Sequence, residues 1–109
     1  MRLFRILAEC REGGENLQDY KLVLICGLNS ENKMEDGEWL GYLKNERTYY
    51  PFILKDKACF YGGEEHEYEP TNLPEKIIEK GCFFTISNGP RDIETWESTY
   101  QITSCYELV

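Results

Sequence analysis

The sequence predicts a mostly β protein, α+β only by the count of one short helix near residues 73–80. The expected architecture is a small antiparallel barrel or a strongly curved sheet of about six or seven strands. Three observations predict it. Apolar and polar residues alternate at period two through most of the chain, which is how a half-buried strand reads. Turn-forming residues separate these runs at short intervals. The 109 residues suit one domain, 1–109, with no linker or low-complexity tract dividing them.

The first run, residues 3–10, sets Phe4, Ile6, Ala8 and Cys10 on one face, and residues 11–16 read as a turn. Residues 20–28 are apolar on both faces, Leu22, Leu24 and Cys26 against Val23 and Ile25, as in a central strand covered twice. Residues 29–37 form a polar loop. A meander follows at 39–43, 48–54 and 58–61, with turns at 44–47 and at Asp56-Lys57. Pro51 has no amide donor, so its strand must be an edge or bulged there. Residues 62–71 read as another polar loop. Leu73 opens the helical candidate, with Asn72 as cap, Pro74 in the first turn, Glu75 near the positive end and Gly81 as the stop. At about two turns it needs tertiary support. Residues 82–87 are a strand and Asn88-Gly89-Pro90 a turn. Residues 99–108 alternate most cleanly, with Tyr100, Ile102, Tyr106 and Leu108 on one face. Closing or curling such a sheet hides its edges.

Charge narrows the function. Twelve Lys and Arg stand against 20 Asp and Glu, a net charge of −8. Direct nucleic-acid binding needs clustered cations and is not expected. The hydrophobic content of 41% is too high for a disordered chain. No stretch reaches the roughly 18–20 apolar residues that span a bilayer, so no membrane partner is expected. Arg5 and Glu9 interrupt the N-terminal apolar residues, so no signal peptide is read there. Five cysteines (Cys10, Cys26, Cys59, Cys82 and Cys105) are evenly spread, without a Cys-x-x-Cys pair and with His66 as the sole histidine. They suggest neither a disulfide framework nor a zinc site, but small buried thiols in a reducing cytoplasm.

Residues 1–28 hold four basic and four acidic groups, so residues 29–109 supply the whole excess. The densest stretch is Glu64, Glu65, Glu67 and Glu69 around His66 and Tyr68, after Gly62-Gly63. Like charges this close repel, and the loop is expected to be extended and solvated. It could solubilise, steer toward a basic partner, or offer oxygens to a hard cation. The Asp-x-Asp-x-Asp-Gly loop of an EF-hand is missing. Glu64, Glu65, Glu67, Tyr68 and Glu69 are therefore read as partner-binding, with no metal and no cofactor. Among the aromatics, Tyr49 and Tyr50 are adjacent in a strand and must point to opposite faces. An aromatic beside carboxylates suits Arg or Lys side chains through cation–π contact and charge together.

The stretch from Glu35-Asp36-Gly37-Glu38-Trp39 through Phe60-Tyr61-Gly62-Gly63 to Leu73-Pro74 resembles a Tudor-type SH3-like barrel. The likeness is an aromatic after an acidic turn, a meander, and a glycine-containing hairpin before Leu-Pro. It covers about 40 of 109 residues, leaves the flanking strands unexplained and assigns no site residue.

Catalysis finds little support. A Cys–His nucleophile would need His66, with Cys59 nearest in sequence. Carboxylate pairs are too plentiful to single out an acid and a base. Gly13-Gly14 and Gly62-Gly63 lack the lysine and helix of a phosphate loop. The expected function is a non-catalytic acidic binding or inhibitor protein that engages a basic protein partner, such as a nucleic-acid-binding enzyme. Immunity proteins and phage anti-defence proteins that mimic nucleic acid work in this way. The alternative is a small β-barrel module that holds a small molecule or modified peptide in an aromatic pocket of Trp39, Tyr42, Tyr50 and Trp96.

Overall fold

Alternation at period two becomes the wall of a nearly closed barrel. The computed structural model describes residues 1–12, 15–62, 67–87 and 96–108. Its strands are β1 (Arg2–Glu12), β2 (Glu15–Leu28), β3 (Trp39–Asn45), β4 (Thr48–Lys55), β5 (Ala58–Phe60), β6 (Tyr68–Pro70), β7 (Phe83–Ser87) and β8 (Glu97–Glu107). They form one sheet in the order β6-β5-β4-β3-β2-β1-β8-β7, with antiparallel neighbours throughout. Pairing of β1 with β8 joins the first strand to the last. The remaining seam lies between β6 and β7, where Thr71 bridges Ile86.

Inward-facing positions fill the barrel. Phe4, Ile6, Ala8 and Cys10 of β1 meet Leu22, Leu24, Cys26 and Leu28 of β2, with Phe52, Leu54, Phe84, Ile86, Tyr100 and Ile102 completing the core. Burying each Leu, Ile or Phe is worth about 1.5–3 kcal/mol. Gly41 makes room for this packing: a methyl group there would strike the Val23 carbonyl and lie 2.8 Å from the Phe52 ring. Phe84 stacks on Tyr100 with ring centres 5.6 Å apart. Side chains finish the seam. The Thr71 hydroxyl donates to the Thr85 carbonyl at 2.7 Å and accepts from the Leu73 amide at 3.2 Å. Asn72 Oδ1 accepts from the Thr85 amide at 2.8 Å. Polar groups that an open sheet edge would leave unpaired are thereby satisfied.

Tertiary pairing corrects the sequence reading at several points. The eighth strand is β6, three residues inside the segment read as a polar loop. The helix expected near 73–80 is a single 3-10 turn, Leu73–Glu75. Lys76 is already extended, Ile77 bridges Lys33, and the Ile78 amide donates to the Asn32 carbonyl at 2.7 Å. Leu73 and Ile78 are both fully buried, and residues five apart do not share a helix face. Extended backbone buries both, and that outweighs local propensity. Asn72 stands at the N-cap of this turn, but its side chain makes no capping hydrogen bond there. Strand β2 is sealed on its inner face, whereas Ile25 on its outer face is exposed. In β8, Leu7 pairs with Ser104 but Ala8 with Ile102, so Thr103 is an extra residue. This bulge reverses the phase of alternation. Cys105 turns to the core, and Tyr106 and Leu108 point outward instead. Pro51 behaves as expected: the β4–β5 ladder begins at Ile53, leaving Pro51 beyond it.

Candidate functional site

Strands that alternate in direction collect every second connection at the same end. The β1–β2, β3–β4, β5–β6 and β7–β8 hairpins therefore share one end of the barrel. The opposite end is closed by residues 29–38 and 71–82. There Leu73 and Ile78 plug the core, and the Trp39 indole donates to the Glu35 carbonyl at 2.9 Å.

Charge follows this division. Among the described residues of the hairpin end, Glu12, Asp19, Glu46, Glu67, Glu69 and Glu97 gather with Arg47, and Arg11, Lys21 and Lys44 lie close behind them on β1, β2 and β3. At the closed end acidic and basic side chains intermix and pair: Lys57 with Glu75 at 2.9 Å, Arg2 with Glu107 at 3.8 Å, Lys55 with Glu38 at 4.0 Å. What distinguishes the ends is pairing: Glu38, Glu75 and Glu107 of the closed end are held in ion pairs.

Within the mouth, carboxylates meet phenols. The Tyr61 hydroxyl donates to Glu69 Oε1 at 2.6 Å. Its ring meets Phe52 and Tyr50 edge-on, with centres 6.0 and 6.5 Å away. Burial first, then the neighbouring Cys59 and Glu69, drive its pKa far up. Tyr100 is shifted the same way, by burial and then by Cys10, Glu69 and Cys59. Tyr20 donates to Glu46 Oε1 at 3.0 Å, and this bond raises its pKa. The phenols stay protonated donors, and the carboxylates are acceptors around them. Such a mouth can receive a cation, ring faces and carboxylates acting together. Beside it lies an open groove of about 560 Å³ lined by Asp19, Tyr20, Lys44, Glu46, Arg47 and Thr48.

The residues expected from sequence to bind a partner are distributed as follows. Glu64, Glu65 and His66 lie outside the described residues. Glu67 is exposed, its carboxylate lying over Gly62. Tyr68 packs on Phe60 at 5.1 Å between ring centres, on the outer wall. Glu69 faces into the mouth, toward Tyr61. The four aromatics read as a pocket do not share one. Trp39 belongs to the closed end, and Tyr42 points out from the wall against Tyr49. Tyr50 reaches the mouth, and Trp96 is exposed just before β8. Strand parity explains the split, since Tyr42 cannot share a face with Trp39 and Leu43 of the same strand. The convergent aromatics are Tyr50, Phe52 and Tyr61. Sequence reasoning missed Tyr61 and Tyr100 as site residues because they meet across strands far apart in the chain. Parity with buried Cys59 was the one local sign for Tyr61.

The thiols are held away from reactivity. Burial is the main cause in each case, pushing Cys10 to about 11 and Cys26 and Cys59 to about 12, with Cys82 and Cys105 also raised. A thiol shifted upward is a poor nucleophile at neutral pH. Among the described residues, no group of three or more His, Cys, Asp or Glu could hold a metal, and no helix is long and apolar enough to cross a membrane. Compared with protein-family models, curated proteins and solved structures, the chain matches none.

Proposed function

We propose that this protein is a non-catalytic binding module whose hairpin end docks on a basic protein surface. One observation carries the reading: six carboxylates, Glu12, Asp19, Glu46, Glu67, Glu69 and Glu97, gather at the hairpin end, whereas Glu38, Glu75 and Glu107 of the closed end are held in ion pairs. Complementary fields of this kind raise association rates and select partners of opposite sign. A partner arginine or lysine entering the mouth would meet Glu69 and the ring faces of Tyr50 and Tyr61. The basic groove of a nucleic-acid-binding enzyme is the surface such a face would block, carboxylates standing in for phosphates. Five thiols held protonated remove the readiest nucleophile, and free thiols suit a reducing cytoplasm.

The convergence of Tyr50, Phe52 and Tyr61 also supports a second reading, in which the mouth holds a small cationic ligand or a peptide bearing methylated lysine. Calorimetry with a trimethyl-lysine peptide separates the two, since only a pocket binder gives heat with the isolated residue.

Immobilised protamine tests the main proposal. Glu12→Lys/Glu46→Lys/Glu67→Lys/Glu97→Lys is compared with Glu31→Lys/Glu35→Lys/Glu38→Lys/Glu79→Lys, which changes net charge equally at the closed end. We expect the first variant to bind at least tenfold more weakly, with a flatter salt dependence, and the second to change far less. Equal losses would mean that total charge, not a face, governs binding.

A further inference from the structure

The outer wall of β2–β4 carries the opposite character from the hairpin end. Leu40 is 65% exposed, Tyr49 57%, Ile25 43% and Ile53 37%. These side chains are neighbours. Leu40 pairs with Ile53, and Ile25 and Leu40 lie one step beyond the last β2–β3 pair, Leu24 with Gly41. The next row runs Leu7, Val23, Tyr42, Pro51 across four strands, and Tyr42 meets Tyr49 with ring centres 5.5 Å apart. An apolar surface spanning several strands on the outside of a small barrel marks an interaction site rather than scattered exposure.

Basic side chains bracket this surface. Arg5, Arg11, Lys21, Lys44 and Lys55 share the wall; Glu9 lies 3.5 Å from Arg11 and Glu38 4.0 Å from Lys55, and Lys44 borders the groove that holds Asp19 and Glu46. Lys21 and Lys44 are directly opposite in register. Like charges placed so are destabilising in a sheet. Lys44 leans over the Tyr49 ring at 5.9 Å. In a chain of net charge −8, a wall this basic is a local inversion of sign.

We infer that this wall is a second docking face, for a partner segment whose apolar side chains are flanked by carboxylates. The apolar rows receive the hydrophobic side chains, and a carboxylate between Lys21 and Lys44 relieves their repulsion. Charge complementarity selects this occupant: a second copy packed wall to wall would set lysines against lysines. The inference stands apart from the hairpin-end proposal, since it rests on the outward apolar rows and the Lys21–Lys44 pair and not on the hairpin-end carboxylates.

Fluorescence anisotropy with a labelled 18-residue amphipathic peptide tests it, using leucines flanked by glutamates and a twin flanked by lysines. We expect the glutamate peptide to bind at least tenfold more tightly than its twin. Leu40→Glu and Lys21→Glu/Lys44→Glu should each weaken it at least tenfold, and the hairpin-end quadruple variant should bind it as well as the native chain. Leu40→Ser, monitored by thermal melting, guards against loss of fold. Equal binding of both peptides, or no effect of Leu40→Glu, overturns the inference. So does capture by vesicles containing 30% phosphatidylglycerol without peptide binding, which assigns the wall to a lipid surface. A concentration-dependent dimer that Leu40→Glu dissociates assigns it to a second copy.

Discussion

The two ends of the barrel are made by the same alternating strands and differ in nearly everything else. At the closed end Leu28, Leu54, Leu73 and Ile78 are sealed, and backbone pairing of residues 32–33 with 77–78 holds the cover in place. At the hairpin end the core gives way to phenols and carboxylates, and Asp19, Glu46, Glu67 and Glu97 stand in solvent. The buried plug is therefore confined to one end, while exposed carboxylates stand at both, Glu31, Asp36, Asp56 and Glu79 at the closed one. A protein arranged so can vary its hairpin end while its packing stays untouched, because substitutions far from the core cost little.

The largest effect should come from opening the closed end. Leu73→Ala and Ile78→Ala each remove a fully buried side chain where the cover has no second layer to collapse inward. We expect a loss of about 2–5 kcal/mol apiece in urea denaturation. Tyr50→Ala, at the hairpin end and partly exposed, should cost less than about 1 kcal/mol by the same measurement. Similar costs for Ile78→Ala and Tyr50→Ala would break the comparison, since the plug would then contribute no more than a rim residue.

How much of this was legible in the sequence depended on distance along the chain. The inner face of β1 and the isolation of Pro51 follow from local alternation and from proline's missing donor, and both stand in the structure. Opposite orientations of Tyr49 and Tyr50 follow from the same pleat. What failed depended on pairing. Ile77 and Ile78 left the expected helix because residues 32–33 pair with them, and β8 changed phase because one extra residue faces β1. The charge map shows the same limit. Counting by segment placed the excess after residue 28, yet Glu12 and Asp19 belong to the acidic end, while Glu38 and Glu75 belong to ion pairs elsewhere. Antiparallel strands bring Glu12 and Glu97 to one end, and no local pattern records that.

Alkaline pH sharpens the comparison in the other direction, by acting on the interior. Cys10, Cys26 and Cys59 titrate at about 11, 12 and 12 in the fold, against an ordinary 9.0. Above pH 9 the unfolded chain loses these protons while the folded chain keeps them, so the unfolded state binds fewer protons and stability falls as pH rises. The stabilising contribution is complete below pH 9 and lost progressively toward pH 12. A fall in Tm of at least about 10 °C between pH 9 and 11 is expected. Replacing all three thiols by alanine or serine should reduce that slope, and the part that remains belongs to Tyr61 and Tyr100, whose buried phenols are raised as well. A native chain insensitive to pH across this window would mean the thiols reach water.

The smallest effect, and the one that most directly separates presentation from packing, is reversal of the hairpin-end carboxylates without any partner. Glu12→Lys/Glu46→Lys/Glu67→Lys/Glu97→Lys changes the net charge from −8 to zero. Two terms oppose each other. Glu46 gives up the hydrogen bond from Tyr20, worth about 0.5–1.5 kcal/mol. Repulsion among carboxylates crowded at one end is relieved, a gain that grows as ionic strength falls and the screening length lengthens. Tm should stay within about 4 °C of the native value in 150 mM salt. In 10 mM salt the variant should move upward relative to the native chain, because the native chain carries the larger net charge, −8 against zero, and with it more repulsion for salt to screen. A loss of about 15 °C at either salt would show the carboxylates holding the mouth together, and their exposure would then reflect structure and not a face kept ready for a partner.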